Sequence, residues 1–472
     1  MRPLQMPKSS ALKNIKLPLD PDSSTKETVD GQSRICNWVY NRFLEIAVGL
    51  LQEYIQTQDP KSAQILYSPR GFRNLLPELK ALHPFVKTVH SSPLKNTALR
   101  LSEAIRARQK SKRGKRKGAV VGWPRYHSWK NNWFSLLYDE PGKGFKVEGD
   151  ILVLSLGTGE DRKHRSVSIP IVGAKALEGK EIRTLRIIEE LGRLYAVFTV
   201  CVQVPSTKPI SKVLALDPNH KNFAYGVDTD GKGIEIGSPT WLRQYDRRID
   251  ELQAKRDQCI RKSREIPVLD QDGGPTGKSY WKASKNWRRR DRTLKRALQK
   301  RRDQTKTFLF TVAHSVCKKY DCIGIGDYAP HGNGITTKMR RAMNNRSLIG
   351  RFKPILSWVA LKSGKTVLIY DETGTTRTCH PCNHVEEGGI HPSIRYWRCP
   401  VCSSWNHRDE NAGKNGLQRV FEDLKKDGIH VPSVSGSDLF RVHERWAWRV
   451  LPSGVVKLLR GQNSELIAAP GN

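Results

Sequence analysis

Two Cys-x-x-Cys pairs lie in the stretch TCHPCNHVEEGGIHPSIRYWRCPVCSSWNHRDENAG, residues 378–413. Cys379 and Cys382 form the first pair, Cys399 and Cys402 the second, with sixteen residues between them. This is the spacing of a four-thiolate zinc ribbon. Pro381 and Pro400 each fix a tight knuckle inside a pair. Four cysteine ligands complete a tetrahedron and leave no open position, so the expected zinc is structural and contributes folding energy directly. By the same count His380, His384, His391 and His407 are expected at the surface rather than on the metal.

Directly behind the cysteines stands RDENAG, a carboxylate followed by Asn and small residues. Three acids, Asp217, Asp327 and Asp409, end expected strands or open an expected helix. Any one of them alone reads equally as a turn residue or a helix cap. As a set they suit phosphodiester hydrolysis by two Mg²⁺ ions, which needs carboxylates on neighbouring rigid elements to hold ions about 4 Å apart. Oxygen ligands also suit a hard cation that keeps several waters. Arg377 and Arg408 flank the acids and either neutralise a phosphate or are ordinary surface residues.

These residues need a sheet to carry them. KVLALDPNHKNFAYGVDTDGKGIEIG, from residue 212, predicts a strand ending at Asp217 and a hairpin partner at 223–227. DCIGIGDY predicts a strand ending at Asp327, and KTVLIYDE a strand running into the cysteines. Long charged helices are expected over 241–264 and 284–320, separated by the Gly/Pro-rich loop PVLDQDGGPTGKSY, with a shorter helix over 347–362. APHGNGITTKMRRAMNNRS reads as a mobile loop, ENAGKNGLQRVFEDLKK as a helix, and the last forty residues carry no assignable pattern. Upstream, 33–55 and 74–108 read as helices, the second broken near His83–Phe85. The segment 144–205 alternates in short runs and reads as the strands of a small barrel or sheet.

Lys and Arg number 82 against 46 Asp and Glu, a formal net charge of +36. An excess of this size points to a polyanionic partner. There is no run of eighteen apolar residues and no secretory signal, which favours nucleic acid over a membrane. Within SKNWRRRDRTLKRALQKRR, residues 284–302, Arg288, Arg289, Arg290 and Arg292 are the expected phosphate contacts. The run RARQKSKRGKRKG at 106–118 is either a solvated segment or a phosphate-contacting arm. Trp129, Trp133 and Phe134 could stack on bases or simply pack. Nine cysteines, four of them clustered, argue against a disulfide framework and for a reducing compartment.

The order TTRTCHPCNH, RCPVC, HRDENAGKN, with LALDPNHKNFAYG upstream, resembles the transposon-encoded TnpB family, related to compact type V CRISPR effectors. The resemblance covers roughly 211–420 by motif. It implies an α/β multi-domain protein with an RNase H-like (RuvC) nuclease domain at 211–371, carrying a helical insertion at 241–320. It further implies a zinc ribbon at 372–408, the remainder of the nuclease at 409–430 and a tail at 431–472. Ahead of these come a flexible 1–30, a helical recognition region with its basic arm at 31–118 and a β-barrel-like (wedge) domain at 119–210. The implied activity is RNA-guided, Mg²⁺-dependent cleavage of DNA beside a short adjacent motif. The implied partners are guide RNA and double- and single-stranded target DNA, in the cytoplasm of a prokaryote at the nucleoid. Rivals are a nuclease-deficient RNA-guided repressor and a transposase accessory protein. The family usually places a Glu where this chain has Gly326. Some relatives carry the acid later, where Glu372 stands in YDETGTTRTC. The expected Mg²⁺ ligands are therefore Asp217, Glu372 and Asp409, with Asp327 the alternative or an outer group.

Overall fold

A computed structural model describes residues 10–116, 119–129, 132–159, 161, 163–206, 209–219, 222–269, 275–328, 336, 348–391, 393–429, 431 and 440–460. The chain forms two compact units that divide between Val202 and Gln203. Among the described residues, no helix is long and apolar enough to cross a membrane.

In the first unit, β1 (Ser10–Pro18) leads into α1 (Ser23–Thr57), whose first turn is capped by Asp22 accepting from the Thr25 amide. Helices α2 (Pro60–Tyr67), α3 (Gly71–Asn74), α4 (Leu76–Leu82) and α5 (Ser91–Lys112) follow. Next come β2 (Leu136–Tyr138), β3 (Phe145–Glu148), β4 (Ile151–Thr158), β5 (His164–Pro170), β6 (Ile182–Glu190) and β7 (Arg193–Gln203). The strands divide into a four-stranded sheet, β1-β7-β6-β2, and a three-stranded sheet, β3-β4-β5. Both sheets share one core with the helices, where Phe43, Leu101, Tyr138, Leu152 and Phe198 are buried. The expected flexible segment 1–30 is thus corrected from residue 10 onward. Ile15 and Leu17 alternate with exposed residues and dock one face of β1, a pattern hidden by polar composition. Trp129 and Trp133 pack against the core and donate to Ser33 Oγ and Asp30 Oδ1, so packing rather than base stacking accounts for them.

The second unit is a layered α/β structure. Its strands are β8 (Val213–Pro218), β9 (Ala224–Asp228), β10 (Lys232–Ile236), the hairpin β11 (Arg264–Leu269) and β12 (Pro275–Lys282), β13 (Cys322–Gly326), β14 (Thr366–Tyr370), β15 (Tyr396–Arg398), β16 (Trp405–His407), β17 (Glu444–Val450) and β18 (Val456–Arg460). The helices are α6 (Leu242–Gln258), α7 (Lys285–Lys319), α8 (Ile349–Lys362) and α9 (Arg408–Lys426). Seven strands form one sheet in the order β14-β13-β8-β9-β10-β17-β18. β8, β13 and β14 run parallel, and β9 is antiparallel to β8 and β10. Part of the expected Gly/Pro-rich loop is the β11–β12 hairpin. The expected tail supplies β17 and β18, because Trp448 and Val450 have a core to fill. The expected mobile loop after Asp327 lies almost entirely outside the described residues.

Alternation sets the two faces of the sheet. Leu214, Leu216, Ile323 and Ile325 pack with Phe308, Leu309, Phe352 and Leu356 of α7 and α8. Val213, Ala215, Val227, Cys322 and Tyr370 pack with Leu417, Val420 and Leu424 of α9.

Asp321 ties the starts of the three parallel strands together. It accepts from Lys365 Nζ at 2.8 Å, Ser211 Oγ at 2.8 Å and the Lys212 amide at 3.0 Å. Burial raises its pKa, but these hydrogen bonds outweigh burial and hold the carboxyl below its usual range. A depressed carboxylate contributes stability above its unfolded value of 3.8, and that stability is lost as pH falls through the folded value. Asp321→Ala should therefore cost the second unit about 2–3 kcal/mol at neutral pH. In urea melts the gap to wild type should narrow below about pH 4.

Candidate active site and metal centre

The four cysteines converge, with all Sγ atoms within 4.8 Å of one another and the pairs Cys379–Cys402 and Cys382–Cys399 both at 3.6 Å. Four thiolates around a tetrahedral zinc with bonds of about 2.3 Å sit about 3.8 Å apart, so this donor set can hold zinc. Both knuckles are built alike. The Cys379 amide donates to His384 O at 2.7 Å and the Cys399 amide to Ser404 O at 2.9 Å. Asn383 and Ser403, each just after a pair, take a left-handed backbone at φ 59°. Of the four histidines only His391 is exposed; His380, His384 and His407 are half-buried. His380 is half-buried between Asn415 and the Phe440 ring, and His407 lies between Tyr225 and Tyr396.

Asp217 lies in β8, two residues beyond Ala215, and so faces α9. It is buried, and that desolvation pushes its carboxyl well above the usual range. The neighbouring charges of Glu372 and Asp409 push it further, and Arg408 partly opposes them. Ile325 pairs with Leu216, so residue 326 is the lateral neighbour of Asp217 on the same face. That residue is Gly326, and Glu372 occupies the space above it. A Cβ added at Gly326 would stand 2.5 Å from Glu372 Oε2 and 3.3 Å from Glu372 Cβ. Asp327 is exposed, and its Oδ1 accepts from the Glu372 amide at 3.3 Å. The structure therefore brings Asp217, Glu372 and Asp409 together and puts Asp327 on the backbone beneath Glu372. Among the described residues only the cysteines converge tightly enough to surround a single point.

Three further residues were not singled out from sequence. Asn411 and Asn415 lie one turn apart on α9, both buried. Asn411 Nδ2 donates to Thr378 O at 2.7 Å, and Asn415 Nδ2 to Thr375 O and Thr378 O at 2.7 Å each. Asn411 Oδ1 accepts from the His380 amide at 3.0 Å. The asparagines of the RDENAGKN motif thus latch the entry turn of the ribbon to the helix that carries Asp409. Arg395, inside the ribbon, donates from Nη1 to both Asp409 oxygens at 3.1 Å. The i, i+4 spacing of Asn411 and Asn415 was the available signal; nothing in the sequence pairs Arg395 with Asp409.

Arg408 is half-buried beside the acids and Arg377 is exposed. On α7, Arg288, Arg289 and Arg292 line an open groove of about 470 Å³ with Lys285 and Arg296. Arg290 is half-buried on the other side of the helix, apart from its three neighbours. Asp291, the lone acid of the run, pairs with Lys295 at 2.9 Å and Arg256 at 3.4 Å.

Residues 350–415 match the family described as Cas12f1-like, TNB domain. A transposase-named protein, R186, of Acanthamoeba polyphaga mimivirus is 32% identical over 148 residues, 30% of this chain and 29% of that protein. The TnpB-like protein L79 of the same virus is 26% identical over 141 residues, 29% of this chain and 26% of that protein. Over these residues the chain is similar to TnpB-like proteins. Its match spans under a third of the length of these relatives. Among solved structures, that of a Cas12f1–sgRNA–target DNA complex aligns at a TM-score of 0.49 and 10% identity, covering 87% of this chain and 99% of that one.

Metal analysis should find one zinc per molecule. Cys379→Ser with Cys402→Ser should release it and leave the segment from Thr375 to His407 open to protease, while the β8–β9 hairpin stays protected from hydrogen exchange. Well-folded wild-type protein without zinc would contradict the assignment.

Proposed function

We propose that this protein is an RNA-guided DNA endonuclease that cleaves beside a short adjacent motif. The observation that carries the reading is Glu372 lying over Gly326, next to Asp217, with Asp409 close enough to raise the Asp217 pKa. We read the sheet with α7, α8 and α9 as an RNase H-like (RuvC) core and the ribbon as an insertion between β14 and α9. Asp217, Glu372 and Asp409 would hold the Mg²⁺ ions. When bound, two such ions supply water activation and leaving-oxygen stabilisation for phosphodiester hydrolysis. The carboxylates are neighbours without a common centre, as two separate ions require. Burial and the neighbouring acids raise the Asp217 pKa, and a bound cation would offset both effects. Arg408 lies beside the acids, where it would face the scissile phosphate. In this reading Asp327 is a positioning residue, holding the Glu372 backbone through its amide.

Base pairing to a guide RNA would select the target, and the first unit would read the adjacent motif on duplex DNA before a single strand enters the site. The groove on α7 would follow a phosphate backbone. One observation favours a second reading, an RNA-guided binder that does not cut. Arg395 already satisfies both oxygens of Asp409 and competes with metal there.

Asp217→Asn, Asp409→Asn and Glu372→Gln should each abolish Mg²⁺-dependent cleavage and leave RNA and target binding nearly intact, whereas Asp327→Asn should only slow it. Gly326→Glu combined with Glu372→Ala should restore part of the activity that Glu372→Ala alone loses. Wild-type rates in Glu372→Gln would defeat the assignment of that acid, and a wild type that binds guide and target without cutting would favour the second reading.

Changing Arg288, Arg289 and Arg292 together to Ala should flatten the slope of log affinity against log salt by about 2–3, one lost phosphate contact for each arginine. Arg290→Ala should leave that slope unchanged. Filter binding over a salt series reads both.

A further inference from the structure

The first turn of α9 carries two neighbouring carboxylates that are tied in different directions. Asp409 is held from the ribbon, by Arg395 at 3.1 Å. Glu410 is held from the sheet. Arg445 of β17 donates to its Oε2 from Nη2 at 2.9 Å and from Nε at 3.1 Å. Glu410 is 7% exposed, and its other oxygen takes Lys414 Nζ at 2.9 Å. A carboxylate this buried keeps its charge only with such partners. The two partners differ in kind. Lys414 lies one turn along the same helix and moves with it, so it fixes nothing relative to the sheet. Arg445 comes from the sheet and does.

The sheet leaves room for this reach. Arg445 pairs with Gly233, Gly233 with Val227 and Val227 with Ala215. These four residues make one row across four strands, on the face that carries α9. Gly413 brings α9 down onto Val227 in this row. Gly233 keeps the row open between Val227 and Arg445, and a Cβ there would run into the Tyr225 hydroxyl. Tyr225 is in turn the lateral partner of Asp217.

The two ties are not equivalent. A cation on Asp409 must take oxygens that Arg395 now holds, so the ribbon tie loosens when that acid is used. The contacts of Glu410 stay whole. Asn411 and Asn415 join α9 to the ribbon turn rather than to the sheet. Leu417, Val420 and Leu424 anchor the helix to the sheet only beyond its first turn.

We propose that Arg445 is a positioning residue, which through Glu410 fixes the first turn of α9 against the sheet and so sets Asp409 beside Asp217 for cation binding. The proposal rests on the nuclease reading for the cation but not for the clamp. Charge and position predict opposite signs here. Arg445 is itself a cation near the acids, so by Coulomb interaction alone its loss should tighten cation binding. As a positioning residue, its loss should weaken it.

The test is Mn²⁺ titration of the full-length protein, read by loss of the free-ion EPR signal and confined to the binding that Asp217→Asn removes. Arg445→Met should raise the half-saturating concentration about tenfold or more. Arg445→Lys keeps Glu410 paired through fewer donors and should shift it the same way by less. Arg449→Met breaks the Arg449–Glu235 pair, 2.6 Å long and also on β17, and should leave it unchanged. Hydrogen exchange mapped by mass spectrometry should rise at residues 410–413 in Arg445→Met and not in Arg449→Met. Zinc content should stay at the wild-type value throughout. If Arg445→Met loses zinc, Arg445→Lys decides by the same criteria. Equal or tighter Mn²⁺ binding, an equal shift in Arg449→Met, or unchanged exchange at 410–413 would overturn the proposal. Wild-type Mn²⁺ binding that Asp217→Asn does not alter removes the nuclease reading instead. The clamp is then supported by raised exchange confined to the Arg445 variants, and overturned by its absence.

Discussion

Residues 413 and 416 face the sheet without a side chain, and the closeness this allows decides where Asp409 can be. A Cβ at Gly413 would stand 2.8 Å from Val227 Cγ2, and one at Gly416 would stand 2.4 Å from the Tyr370 hydroxyl. Helix α9 therefore lies flush on β8 and β9, with Leu417, Val420 and Leu424 filling the seam behind. The Tyr370 hydroxyl donates to Leu216 O at 2.9 Å, so even the polar atom under the helix is used. A wider spacing would move the first turn of α9 away from Asp217. The carboxylate cluster is in this sense a product of backbone proximity before it is a product of charge.

The same helix explains why a cysteine site and an acid stand side by side in the chain. Glu372 precedes the ribbon and Asp409 follows it. The knuckles return the chain towards its starting point, and Asn411 and Asn415 fasten that return to the Thr375–Thr378 backbone. Buried amides that satisfy several carbonyls at once are demanding of geometry. They transmit the position of the ribbon to the acids on either side of it. Arg395 adds an ionic tie from the ribbon to Asp409 itself. On the other side of the first turn, Glu410 pairs with Lys414 and with Arg445 of β17, both at 2.9 Å.

How legible was this in the sequence? The cysteine quartet and the alternation of VLALD and CIGIG carry their positions openly, because thiolate spacing and period-2 burial are local properties. The mixed α/β character followed from them. Glu372 was legible only through the resemblance, which sets Gly326 where relatives carry a Glu and Glu372 where some carry the acid later; that Gly326 leaves room for Glu372 beside Asp217 is visible only in the structure. Local pattern could not reveal β1 or β17. β1 is polar on its exposed face, and β17 finds its partner far away in the chain. Arg290 shows another limit. Four arginines in one short run look equivalent as text, but a helix turns by about 100° per residue and separates them.

The pairing of β17 with β10 has a consequence for a chain still being made. Lys232 lies opposite Glu444, 212 residues later, and the two strands run parallel. At about 5–20 residues per second, β10 emerges roughly 10–40 s before its neighbour exists. Through that interval one side of the half-built sheet offers open amides and carbonyls to any passing strand. Arg445 arrives with β17, 35 residues after Glu410, so Glu410 waits only about 2–7 s for that partner. Translation speed over this stretch sets how long that edge waits for its partner.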